Sequence, residues 1–422
     1  MTKKNNLFAI GLITSLFFLW GFAHNLDPIL IPHLKRSFTL STLQATLVDS
    51  AVFIAYFIMA IPAGIIMKKY SYKAGIIIGL LMFAAGSFLF VPAADNQSYP
   101  FFLIALFIIA CGLTTLETAA NPYITVLGPP ESAPFRLNFA QSFNGLAATM
   151  APIIGARIIL AKGATDEQLS QMSDAVKQAT LAAEASTVKT PYIVLGTILL
   201  LVAALFAFTK LPSIEHADEE PASKNIFQAL RHKHLAWGVA AQFFYVGAQV
   251  CVFSLFILYA QASSGITGKQ ASIYLGACGF AFLAGRFLGT ILMKFFKAES
   301  LLTLYAAINT ILCILAALMS GMVTIYIVIA ICFFMSIMFP TIFALGIKGL
   351  GKDTAFGSSL IIMSIVGGAI FPPIFGYISD VSHNIQLGYF VPMICFIVIA
   401  MFGLSGAKTT KKEVEIEPAG IL

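Results

Sequence analysis

The sequence has little charge. Only 10% of its 422 residues are Asp, Glu, Lys or Arg, whereas soluble globular domains carry about 25%. It also lacks a long polar block, and 59% of its residues are hydrophobic. These shortages exclude a water-soluble enzyme and a single-anchor protein with a large polar head. We expect most of the chain to be surrounded by lipid.

Cysteine and histidine are few and scattered. The six cysteines lie in apolar stretches without a C-x-x-C pair, so the sequence predicts neither a metal site nor disulfides. Among the six histidines only His24 lies deep in an apolar run, which disfavours a membrane-embedded enzyme built on paired histidines. We predict no metal, no cofactor and no enzymatic activity.

Apolar runs between polar or Pro/Gly breaks predict twelve spans in an all-α membrane protein, since a membrane helix needs about 20 apolar residues. The spans are 7–33, 44–67, 74–94, 101–127, 138–161, 191–209, 235–260, 270–293, 301–320, 322–347, 355–379 and 387–405.

Polar stretches divide these spans into two sets of six. We predict an N-terminal six-helix bundle at 1–209, a cytoplasmic linker at 210–234, a C-terminal six-helix bundle at 235–405 and a cytoplasmic tail at 406–422. A further polar stretch, 162–190, can form a short surface helix.

The basic residues are unevenly distributed across this topology. With the N-terminus inside, 17 of the 25 Lys and Arg fall on the inner side and six on the outer side. Because cytoplasmic segments are enriched in Lys and Arg, both termini are predicted to be cytoplasmic. The net charge of +6 therefore reflects topology and not a nucleic-acid partner.

The two halves of the sequence echo one another. Residues 122–128 match 340–346 in proline-to-glycine spacing, and 152–155 match 373–376. Such echoes predict a duplicated bundle, the arrangement of transporters whose substrate site lies near the membrane midplane between repeats.

Only three of the 19 acidic residues lie well within the predicted spans: Asp27, Asp49 and Glu117. A charged side chain at the bilayer centre costs about 2.5–3.5 kcal/mol on insertion scales, so such residues are usually functional. Glu117 can bind a proton or a sugar hydroxyl, or it can be a neutral acid that ties helices together. Asp27 precedes Pro28, which frees a backbone carbonyl nearby. Asp49 lies about two turns into its span and is either functional or a solvated end residue.

Amides and aromatic residues provide further candidates for substrate binding. Gln141 and Asn144 are three residues apart and share one helical face, where they can bind sugar hydroxyls or join helices. The second half is rich in aromatic residues near Gln249 and Phe339. Their rings can pack against a pyranose or serve ordinary packing. Residues 346–353 nearly match a phosphate-binding loop but follow a membrane helix, so we expect a gradient, not a nucleotide, to drive transport.

Several motifs resemble those of the fucose–proton symporter family of the major facilitator superfamily. They are Phe17-Phe-Leu-Trp-Gly21, Pro62-Ala-Gly-Ile-Ile-Met-Lys-Lys69, Leu116-Glu-Thr-Ala-Ala-Asn-Pro122, Val126-Leu-Gly-Pro129, Arg136-Leu-Asn-Phe-Ala-Gln-Ser-Phe-Asn144, Tyr245-Val-Gly-Ala-Gln249 and Pro340-Thr-Ile-Phe-Ala-Leu-Gly-Ile-Lys348. The resemblance implies proton-coupled uptake of a hexose or deoxyhexose by alternating access. It also implies that Glu117 takes part in sugar binding and proton coupling, and that Gln141, Asn144 and Asn25 line the cavity.

The sequence departs from the family pattern at three positions. The family's first span usually reads Asn-Leu-Asn-Asp-Ile-Leu, whereas here Asp27 stands one position earlier and Pro28 occupies the usual acidic position. Asp49 stands where the family commonly has glutamine, so it is an alternative for the missing carboxyl group. Phe339 replaces a tyrosine, which removes a hydroxyl from the second half's cavity.

We therefore expect a monomeric symporter of the bacterial inner membrane that imports L-fucose or a related hexose with protons. The predicted proton-coupling residues are Asp27, Glu117 and Asp49, and the predicted substrate-binding residues are Glu117, Gln141, Asn144, Asn25, Gln249 and Phe339. The alternatives are a sodium-coupled glucose/galactose carrier and, less favoured, a drug exporter of the same fold.

Overall fold

The computed structural model describes residues 3–24, 34, 37, 38, 42–159, 171–209, 211 and 226–407, and contains no strand among them. The helices of the first half are α1 (Lys3–His24), α2 (Thr42–Lys69), α3 (Tyr72–Asp95), α4 (Tyr99–Val126), α5 (Ala133–Ile159), α6 (Asp174–Ser186) and α7 (Lys189–Phe208). Those of the second half are α8 (Lys233–Ser254), α9 (Phe256–Ser264), α10 (Gly268–Leu292), α11 (Ala298–Leu318), α12 (Met322–Met335), α13 (Met338–Gly346), α14 (Thr354–Met363), α15 (Gly367–Ser382) and α16 (Phe390–Met401).

Each of the twelve predicted spans overlaps at least one of these helices. Ten helical stretches within the described ranges are long and apolar enough to cross a membrane. Helix α6 lies in the predicted polar stretch 162–190, as the prediction of a short helix there requires; six of its 13 residues are exposed and three are buried.

The second half contains helix breaks that the apolar runs do not predict. The predicted spans 235–260, 322–347 and 355–379 each consist of two helices, interrupted at Leu255, at 336–337 and at 364–366. In the first half, by contrast, α4 passes through Pro122 without interruption.

Backbone contacts divide the chain into two compact units. The first unit comprises Met1–Ala120 and Phe143–Pro212, and the second comprises Asn121–Ser142 and Ser213–Leu422. Segment 121–142, which we predicted within the first bundle, therefore packs in the second unit. The covalent boundaries at 209 and 235 stay a prediction, and most of the linker and tail lies outside the described residues.

Small residues bring α3 and α4 close together in the first unit. A Cβ atom on Gly112 of α4 would lie 2.6 Å from the Phe83 nitrogen and 2.8 Å from the Gly79 oxygen of α3. Such close approach of backbones is typical of helix packing in membranes. The N-terminus of helix α3 is capped by Ser71, whose hydroxyl accepts a hydrogen bond from the Ala74 nitrogen. This packing fixes the helix that carries Glu117.

In the second unit α8 is the central helix and contacts α13, α15 and α16. A Cβ atom on Gly238 of α8 would lie 3.0 Å from the Cα atom of Gly346 in α13. Helix α10 begins with a capping box, in which Thr267 and Gln270 satisfy each other's backbone nitrogens. These contacts position the aromatic and basic residues described below.

Candidate functional site

Glu117 has a hydrogen-bond donor from a neighbouring helix. It is half-buried in α4, and its Oε1 accepts a hydrogen bond of 2.9 Å from the Tyr56 hydroxyl of α2. A phenol can donate either to a carboxylate or to the carbonyl oxygen of the protonated acid. The contact is therefore compatible with both protonation states of Glu117, as a proton-binding group requires.

Asn144 packs directly against α1 in the same unit. A Cβ atom on Gly21 would lie 2.8 Å from the Asn144 Cγ and 2.9 Å from its Cα. Only a glycine permits this approach, so Gly21 determines where the Asn144 amide lies. The motif containing Gly21 thus supports one of the predicted sugar-binding side chains.

Gln141 is buried in the second unit, with two kinds of partner. Its side-chain Nε2 donates to the Asn121 Oδ1 at 3.3 Å, and its backbone oxygen accepts a hydrogen bond of 3.0 Å from Arg286. Gln141 and Asn144 lie on one helix as predicted, but the boundary between the two units falls between them.

Two of the predicted aromatic and amide positions in the second half lie close to a buried tyrosine. The rings of Tyr245 and Phe339 are 6.3 Å apart and nearly perpendicular. Tyr245 is fully buried, and its hydroxyl has no hydrogen-bond partner within the described part of the chain. Gln249 follows one turn later in α8 and is half-buried, as is Phe339.

Segment 121–142 also forms a polar contact with α13. The Asn138 Nδ2 donates to the Thr341 Oγ1 at 3.0 Å and to the Pro134 oxygen at 2.9 Å. Asn138 and Thr341 are both fully buried, so this bond is shielded from water.

Three of the predicted residues are not placed by the structure. Asn25 and Asp27 lie outside the described residues, and Asp49 lies in α2 but its side chain is outside them. Their roles stay predictions.

Sequence reasoning missed three partners of the predicted residues: Tyr56, Asn121 and Arg286. Tyr56 follows Asp49 by two helical turns in α2, a spacing that could have indicated it. Arg286 lies within the predicted span 270–293 and is only 5% exposed. Only the packing of helices reveals what it contacts.

Comparison with known proteins places the chain in a family. The profile of the Major Facilitator Superfamily matches residues 8–372. The L-fucose-proton symporter of Escherichia coli is 44% identical over 415 residues, which cover 96% of this chain and 95% of the relative. The glucose/galactose transporter of Brucella abortus is 40% identical over 410 residues, covering 97% and 96% of the two chains.

Solved structures agree with this result. The transporter FucP, described in an outward conformation, has a TM-score of 0.89 and 43% identity, and the match covers 96% of this chain and all of that one. The proton:xylose symporter XylE, with a TM-score of 0.68 and 14% identity, shares the fold over 97% of this chain. The chain is an integral membrane protein that belongs to the major facilitator superfamily of transporters.

Proposed function

We propose that the protein imports a monosaccharide, L-fucose or a related hexose, together with protons, by alternating access. The observation that carries the proposal is Glu117, a half-buried carboxyl group in a membrane-spanning helix with a Tyr56 hydroxyl 2.9 Å from its Oε1. The name of the 44% identical relative, an L-fucose-proton symporter, supports the choice of sugar and coupling ion.

Six of the predicted residues have a specific role in this proposal. Glu117 accepts a hydrogen bond from a sugar hydroxyl and takes up and releases a proton. The Gln141 and Asn144 amides bind further hydroxyls, and the Phe339 ring packs against the apolar face of the sugar. Asp27 or Asp49 is the second proton-binding group, and no cofactor besides the proton is needed.

The proposal also includes the location of the protein. We place it in the bacterial cytoplasmic membrane with both termini in the cytoplasm, because Lys and Arg are concentrated on that side of the predicted topology. We propose that it acts as a monomer.

The test is sugar uptake into proteoliposomes with an imposed pH gradient. We expect the unmodified protein to accumulate L-fucose or another hexose, and Glu117→Gln and Glu117→Ala to abolish net accumulation. Glu299→Gln is the matched control, since Glu299 is also half-buried but lies in the first turn of α11. If the pH gradient drives no accumulation of any hexose, the coupling is wrong; if Glu117→Ala accumulates sugar normally, the site is wrong.

A sodium-coupled glucose/galactose carrier is the second candidate. It is favoured by the glucose/galactose transporter that is 40% identical to this chain. Replacing sodium at constant pH separates the two candidates: uptake that falls without sodium supports the second, and unchanged uptake supports proton coupling. Counterflow against a panel of sugars then ranks fucose, galactose and glucose.

A further inference from the structure

Arg286 is a buried cation in a helix that crosses the membrane. It lies in α10, six residues before the helix ends at Leu292, and its side chain is 5% exposed. A basic side chain inside a membrane protein is expensive and is retained where it pairs with other groups. Its partners therefore indicate its role.

The guanidinium group bridges two backbone carbonyls. Its Nε donates to the Ser336 oxygen at 2.9 Å, and its Nη1 donates to the Gln141 oxygen at 3.0 Å. The group also lies 4.6 Å from the centre of the Phe282 ring. Within the described ranges, Arg286 forms no ion pair with a carboxylate.

The Ser336 carbonyl is free for a physical reason. In a continuous helix it would accept a hydrogen bond from residue 340, but Pro340 has no N–H group. The helix is interrupted here, between the end of α12 at Met335 and the start of α13 at Met338. Arg286 supplies the donor that the proline cannot supply.

Both carbonyls belong to segments that carry predicted sugar-binding residues. Gln141 is one itself, and Phe339 follows Ser336 by three residues. Three polar atoms in or near these segments lack hydrogen-bond partners among the described residues: the Tyr245 hydroxyl beside Phe339, the Oδ1 of Asn138, and the Nδ2 of Asn121, whose Oδ1 bonds to Gln141. Buried polar groups are normally satisfied, so a ligand with several hydroxyls could supply the missing partners.

We propose that Arg286 is a positioning residue of the sugar site, holding Gln141 and the segment before Phe339 in a fixed relation to one another. The proposal rests on the proposed function, because it assumes that these two residues contact sugar. Arg286 acts through the two backbone segments and not by touching the sugar.

Sugar counterflow in proteoliposomes tests the proposal with Arg286→Lys. Lysine keeps the charge, but a single ammonium group lacks the planar fork that reaches both carbonyls. We expect the half-saturating sugar concentration to rise about tenfold, because a misplacement of about 1 Å in a binding group has effects of this size or larger, while the maximal rate changes by less than about twofold.

Arg136→Lys is the matched control. Arg136 is also buried, and it also donates to backbone carbonyls of the second unit, those of Ile124, Thr125 and Pro129. None of these partners is a predicted sugar-binding residue. We therefore expect the half-saturating sugar concentration of the Arg136→Lys variant to equal that of the unmodified protein. An equal rise in both lysine variants would overturn the proposal, since it would indicate general loosening of the fold.

Pro340→Ala gives a second test in a variant that keeps Arg286. Alanine restores the N–H group at position 340, so the Ser336 carbonyl gains a helical partner that competes with Arg286. We expect a weaker apparent sugar affinity here too. An unchanged half-saturating concentration in both Pro340→Ala and Arg286→Lys refutes the positioning role, whereas the proposed function itself fails only if the unmodified protein exchanges no sugar.

Discussion

Replacing Gly21 by alanine should displace a predicted sugar-binding residue. The added Cβ would lie 2.8 Å from the Asn144 Cγ, 2.9 Å from its Cα and 3.0 Å from its Nδ2. Carbon atoms in contact normally lie about 3.5–4.0 Å apart. One of the clashing atoms belongs to the backbone, so a change of rotamer at Asn144 does not relieve the contact, and α1 and α5 must separate at this point.

The same helix contains a matched control. Gly11 also lies in α1, but a Cβ atom there would meet nothing within 4 Å. Both substitutions raise helix propensity by a similar amount, about 0.8–1 kcal/mol, so this contribution cancels when the two variants are compared. The remaining difference is the cost of overpacking at Gly21, about 1–3 kcal/mol.

Thermal unfolding and sugar affinity both report on this difference. For a cooperative unit of roughly 150–250 residues, 1 kcal/mol shifts Tm by about 2–4 °C, and the first unit is of this size class. We therefore expect Gly21→Ala to unfold about 5 °C below Gly11→Ala. Its half-saturating sugar concentration should also be higher, because the Asn144 amide has moved. Equal Tm values and equal sugar affinities in the two variants would refute the reasoning.

Two further predictions concern single hydrogen bonds. Tyr56→Phe removes the hydroxyl that donates a hydrogen bond of 2.9 Å to Glu117. Losing this hydrogen bond costs about 1–2 kcal/mol, which should slow sugar counterflow by about 5–30-fold. An unchanged counterflow rate would contradict the role of this contact. Thr341→Val removes the acceptor of the Asn138 amide, whereas Thr310→Val removes only a hydroxyl bonded to its own helix. Hydrogen exchange of segment 121–142 should quicken only in the Thr341 variant, and equal exchange in both would contradict the prediction.

The placement of the membrane helices could be predicted from the sequence, whereas the predicted number of twelve stays a prediction beside the ten helical stretches found in the described ranges. Lipid requires every spanning segment to be long, apolar and internally hydrogen-bonded, so the apolar runs and the helices agree within a few residues at most ends. The predicted span 74–94 and helix α3 at Tyr72–Asp95 are one example. The short helix α6 follows from the same reasoning, because its stretch is too polar to cross.

The breaks in the second half could not be predicted from local sequence. Pro122 and Pro340 stand at equivalent positions of the repeat. Helix α4 nevertheless continues through Pro122, whereas the helix is interrupted just before Pro340, between α12 and α13. At Pro340 the freed carbonyl receives a donor from Arg286, which is distant in sequence. Whether a proline interrupts a helix therefore depends on tertiary hydrogen-bond partners, which the hydropathy of the sequence does not reveal.

The sequence indicates candidate residues for the site but not the partners of those residues. A carboxyl group within an apolar run identifies Glu117 on energetic grounds alone. The donor Tyr56 comes from another helix, and the rotation of that helix decides which of its side chains faces α4. For the same reason the sequence could not show that Gln141 contacts Asn121.

The bridge made by Arg286 ends on main-chain oxygens at both sides, those of Gln141 and Ser336. Every amino acid carries such an oxygen, so substitutions at these two positions leave the acceptors in place. In the proposed sugar site, the bridge that holds the frame is thereby separate from the side chains that we predict to contact the sugar. The proposal therefore implies that positions 141 and 339 can be changed to alter sugar preference while the arginine and the proline keep the scaffold.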